Sequence, residues 1–84
     1  MKTCMITFRS ITPAQRGEST LQRAGLVCSI HRTPRWMEEQ GCGYCLYVRC
    51  QDVMPALELL RARDIGFRKV YLRRENGKLE ELAL

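Results

Sequence analysis

The residues best suited to covalent chemistry sit together in Gly41-Cys42-Gly43-Tyr44-Cys45. Two glycines flanking Cys42 leave its backbone free of neighbouring side chains, a geometry that exposes sulfur and lets another molecule approach closely. Arg35 precedes it in the same connection, and His31 and Arg32 end the strand before that. Cations near a cysteine favour thiolate, the form that attacks sulfur or binds metal. The Cys42/Cys45 spacing leaves several uses open. C-x-x-C pairs cycle between dithiol and disulfide, although thioredoxin-type pairs open a helix and this one opens a strand. Two thiolates also make half of a zinc or iron–sulfur site, with Cys28, Cys50 or a second subunit supplying the remainder. The plainest reading is a glycine-permitted turn that happens to carry a cysteine.

Other constellations are missing. A single histidine, His31, excludes a multi-histidine metal site within one chain. No glycine-rich phosphate loop and no nucleophile elbow occurs. The acidic pairs Glu38-Glu39 and Glu80-Glu81 are adjacent in sequence and read as solvated. Five cysteines are an odd number without the spacings of a disulfide framework, so thiols are expected. Cys4 and Cys28 fall on inward strand positions and Cys50 ends a strand beside Arg49, so all three read as structural. Trp36 reads as packing under its loop.

The elements that must position these residues follow from periodicity. Lys2–Phe8 alternates as a strand, and Pro13–Ala24 is a helix burying Ala14, Gly17, Leu21 and Ala24, stopped by Gly25. Leu26–Arg32 is a second strand and Gly43–Cys50 a third, with Cys45 and Tyr47 turned away from the core. Asp52 caps a helix over Val53–Arg63 that Gly66 ends. Phe67–Arg73 is the fourth strand, and Asn76-Gly77 signals a hairpin into a short strand over Leu79–Leu84. This order predicts an α+β, ferredoxin-like βαββαβ sandwich: an antiparallel sheet with two helices on one face and a possible C-terminal hairpin strand. Residues 1–74 form the domain and 75–84 the hairpin or tail. The other sheet face would carry Met5, Val27, Ser29, His31, Cys45, Tyr47, Phe67, Lys69 and Tyr71, too apolar for simple solvation and suited to a homodimer contact.

Eighty-four residues allow one modest core. Fourteen Lys and Arg against nine Asp and Glu give a net charge of +5, but the cations are scattered and do not point to nucleic acid. No apolar run is long enough to span a membrane and no secretory leader is legible, so a cytoplasmic location is expected.

With these elements in place, the sequence resembles the selenium/sulfur (Se/S) carrier protein-like family of small bacterial and archaeal proteins. The resemblance runs from about Met5 to Leu72. It rests on Ile6-Thr7-Phe8, on Arg23-Ala24-Gly25-Leu26, on Thr33-Pro34-Arg35, on Cys42-Gly43 opening the third strand, and on Asp64-Ile65-Gly66. The family pattern has a serine-rich run where this chain has Glu38-Glu39-Gln40-Gly41, and an apolar residue in place of Cys45. The resemblance implies that Cys42 is the carrier thiol, holding sulfane sulfur or selenium as a persulfide-type adduct. Arg35 would steady the adduct's charge and Cys45 would act as resolving thiol. Partners would be enzymes that donate and accept the sulfur or selenium, and no cofactor is expected. The alternative is a non-enzymatic metal-binding or dimeric interaction module, with Cys42 and Cys45 holding zinc or an iron–sulfur cluster.

Overall fold

The computed structural model of the chain describes residues 2–33, 43–74 and 76–82. The first strand, β1 (Thr3–Phe8), alternates Cys4, Ile6 and Phe8 with Met5 and Thr7, and all five are buried. It is followed by α1 (Ile11–Arg23), β2 (Cys28–Arg32) and β3 (Tyr44–Arg49). A single 3₁₀ turn at Cys50–Asp52 leads into α2 (Val53–Ala62), and β4 (Val70–Arg73) and β5 (Leu79–Leu82) follow. The fold is α+β. Its strands form one five-stranded sheet in the order β2-β3-β1-β4-β5, antiparallel at each junction. The fifth strand at the edge sets this order apart from that of a four-stranded sandwich.

Two faces follow from the register. The even-numbered positions of β1, β3 and β4 join Ala14 and Leu21 of α1 with Val53, Ala56, Leu57 and Leu60 of α2 in one core. Gly17 permits that closeness: a Cβ there would lie 3.2 Å from Leu46 Cδ1 and Leu60 Cδ2 and 3.3 Å from Phe8 Cζ. The odd-numbered positions face the other way. Across the sheet they align Ser29, Tyr47, Met5, Tyr71 and Glu81 in one row, and His31, Cys45 and Thr7 in the next.

Both helices end in the same hydrogen-bonded motif. After α1, Leu26 N–H bonds Leu21 C=O and Gly25 N–H bonds Gln22 C=O, each at 3.0 Å, with Gly25 at φ 84°. After α2, Ile65 N–H bonds Leu60 C=O at 2.9 Å and Asp64 N–H bonds Arg61 C=O at 3.1 Å. Here Asp64 takes the left-handed position at φ 55°. Gly66, expected as the stop, lies two residues beyond. An aspartate substitutes because its short polar side chain tolerates that region better than most.

Further boundaries differ from expectation for local reasons. The first helix starts at Ile11, two residues before Pro13. Proline is accommodated there because first-turn N–H groups have no helical acceptor. Ala24 is the exposed C-cap rather than a buried position. Asp52 is at the N-cap of α2 but makes no side-chain capping bond; its carboxylate accepts a hydrogen bond from Arg49 Nε at 3.1 Å. Cys50 leaves the strand and opens the 3₁₀ turn. Phe67–Lys69 run beside β1 outside the assigned strand, joined by Arg68 N–H to Thr7 C=O at 2.7 Å and Thr7 N–H to Lys69 C=O at 2.8 Å. The Asn76-Gly77 signal holds: Gly77 has φ 83°, and Arg74 N–H bonds Lys78 C=O at 2.9 Å.

Gly25→Ala should cost about 1 kcal/mol, because an added Cβ meets nothing within 4 Å and the penalty is purely conformational. Asp64→Gly should be neutral or stabilise by up to about 1 kcal/mol at the equivalent position. Urea unfolding of the two variants checks both signs.

Candidate functional site

Of the expected site residues, Cys42 and Arg35 lie outside the described residues, as does Trp36. What the structure does describe is the frame from which that connection departs. Thr33 N–H bonds Gly43 C=O at 3.0 Å, one step past the last register pair, Arg32 with Tyr44. The two ends of segment 34–42 are thus tied at one place on the sheet. Arg32 also sends its guanidinium over the Tyr44 ring, 6.0 Å from its centroid.

Cys45 lies two positions along β3 from Gly43, on the odd face. It stands opposite Thr7 of β1 on one side and His31 of β2 on the other. It is fully buried. Burial pushes its thiol up to about 11, against the smaller opposing pull of the Thr33 hydroxyl. That hydroxyl is itself buried. Desolvation disfavours the thiolate, so Cys45 is a protonated thiol at neutral pH and a poor nucleophile without local opening.

His31 is exposed and stacks on Tyr47 with ring centroids 4.4 Å apart, while its Nε2 meets Ser29 Oγ at 3.0 Å. The Arg73 guanidinium lies 5.9 Å from the centroid of the same tyrosine, which therefore has a ring and a cation against it. Lys69 pairs with Glu81 at 3.3 Å.

This face is less open than the sequence suggests. Met5 is 1% and Cys45 0% exposed. Phe67 belongs with the helix-side core and lies under Arg61, at 5.6 Å. Val27 is exposed but precedes β2. Strand alternation assigns a side to each residue; it does not reveal how far large neighbours close over the small ones.

The remaining cysteines are paired or enclosed. Cys28 Sγ lies 3.7 Å from Glu18 C=O, and its thiol is pushed up by burial and then by the Glu18 carboxylate. Cys4 and Cys50 face each other, Sγ to Sγ, at 2.6 Å. In the sequence these two read as separate structural residues. The only signal that could have joined them is the β1–β3 register, which no local pattern contains. Among the described residues, no three His, Cys, Asp or Glu side chains converge as a metal site. No described helix is long and apolar enough to cross a membrane.

The described residues thus form a small α+β domain, a five-stranded antiparallel sheet with two helices. The chain belongs to the family described as "Putative Se/S carrier protein-like", whose model matches residues 3–72. Comparison with curated proteins and with solved structures gives no match.

The raised Cys45 thiol predicts a pH dependence. A folded value near 11 against an ordinary 9.0 means that the native state holds the proton more tightly than the unfolded chain. This contribution to stability is complete below pH 9.0 and is lost as pH rises toward 11. Urea midpoints of the reduced protein should fall across that window, and less steeply in Cys45→Ala, each variant being compared with itself at neutral pH.

Proposed function

We propose that the protein is a carrier that takes up sulfane sulfur or selenium on Cys42 as a persulfide-type adduct and passes it to an acceptor enzyme. One observation supports Cys42 over the other cysteines. All four described cysteines are buried or half-buried, and burial pushes the thiols of Cys4, Cys28 and Cys45 up. A carrier sulfur must be reachable and ionised near neutral pH. The glycine-flanked Cys42 is the residue whose sequence setting suits that task, and membership of the carrier-like family agrees with it.

In the loading step, the Cys42 thiolate attacks the outer sulfur of a donor persulfide. The new S–S bond forms as the donor's S–S bond breaks, and the donor thiolate leaves with the electron pair. Arg35 would balance the charge of the deprotonated adduct. In release, Cys45 as a thiolate would attack the Cys42 sulfur, forming a Cys42–Cys45 disulfide and expelling hydrosulfide. Burial of Cys45 makes that step the slow one, and direct transfer to an acceptor thiol avoids it. The scaffold is read as ferredoxin-like with an added edge strand, supported by the βαββαβ order and by both helices joining one core. The partners are donor and acceptor enzymes of sulfur or selenium transfer, and a reducing cytoplasm suits a free carrier thiol. Self-association through the sheet face has less to rest on, because Met5 and Cys45 are already buried there.

Intact mass spectra after incubation with a persulfide donor test the reading. Wild type should gain one sulfur, and Cys42→Ser none. Cys45→Ala should load normally and release hydrosulfide more slowly. Full loading of Cys42→Ser would overturn the assignment.

A further inference from the structure

The Cys4–Cys50 contact stands apart from the carrier reading. Cys4 lies within β1, in register with Val48 of β3. Cys50 is two residues further on, where the chain leaves β3 for the 3₁₀ turn, and its N–H bonds Lys2 C=O at 3.2 Å. The Arg49–Asp52 ion pair, at 3.1 Å, braces the same turn. Backbone bonds therefore hold both cysteines on one side of the sheet, although they are 46 positions apart in sequence. Their sulfurs are 2.6 Å apart. A disulfide requires about 2.05 Å, so bond formation asks for a shift of only about half an ångström.

We propose that Cys4 and Cys50 form a redox-active dithiol that a low-molecular-weight disulfide oxidises to an intrachain disulfide, closing β1 onto the entry to α2. The two cysteines have different roles. Cys50 is half-buried and is the one a small oxidant reaches, whereas Cys4 is 1% exposed. Burial, followed by the neighbouring Cys50 thiol, pushes the Cys4 thiol up to about 12, so Cys4 reacts second.

The Cys50 thiolate attacks one sulfur of the oxidant. A mixed disulfide forms and the first small thiolate leaves. Cys4 then attacks the Cys50 sulfur as its proton is transferred to the departing second thiolate. One molecule of small disulfide is reduced to two thiols, and the two cysteines are oxidised to one disulfide. The cross-link restrains the long chain segment between the two cysteines, which favours the folded state.

The test is oxidation of the full chain by glutathione disulfide, followed by non-reducing peptide mapping. The expected main product is a Cys4–Cys50 cross-link with the loss of two hydrogen atoms, reversed by dithiothreitol. It should form in Cys42→Ser and be absent in Cys50→Ser, which should still load sulfur on Cys42. Oxidation should raise the urea midpoint of wild type but not of Cys50→Ser. Cross-linking should be roughly tenfold faster, or more, in folded protein than in urea, because held groups meet at high effective concentration. A stable glutathione adduct on Cys50 without the cross-link would overturn the proposal. So would equal rates in folded and unfolded protein.

Discussion

The structure depends on the central position of β1, whose two faces are both buried. Hydrogen-bonded to β3 on one side and β4 on the other, it sends Cys4, Ile6 and Phe8 toward the helices and Met5 and Thr7 away from them. A strand's side chains alternate with a period of two, so slipping its register by one residue would exchange these sets. Gly17 of α1 makes that exchange costly, because its missing side chain leaves room for Phe8, Leu46 and Leu60 and for little else. The placement of Cys45 beside Thr7, and of Cys4 beside Cys50, follows from this one register.

That constraint sorts the thiols by environment. Cys45 is on the side away from the helices but is desolvated nonetheless, and Cys28 is half-buried beside a carbonyl oxygen. Cys4 lies in the main core, and Cys50 sits where the strand ends and water begins to reach the chain. Four cysteines of one chain thus sit in four different environments without any difference in covalent structure. The carrier role is proposed for a fifth, Cys42, which stands between two glycines in the sequence.

Surface charge plays a smaller part. Arg32, Arg61 and Arg73 each lie over an aromatic ring, and Arg74 pairs with Glu80. These contacts are local and lie on separate elements of the fold. Exposed pairs of this kind add little to stability individually, and the apolar core carries the fold.

Periodicity and turn chemistry alone determined the order of the first four strands and the two helices, the left-handed glycine at Gly25, the Asn76-Gly77 turn and the outward turn of Cys45. These are local properties, written within a few consecutive residues. The family too was legible, because its markers are short and lie at element ends. Only the tertiary structure decided that Asp64 rather than Gly66 ends α2, and that Asp52 holds Arg49 rather than capping its helix. It also decided that Met5 and Cys45 are enclosed and that Cys4 meets Cys50. The physical reason is range. A strand pattern states which side a residue faces, but its neighbours there come from strands tens of residues away, and pairing energy selects them only once the whole sheet has assembled.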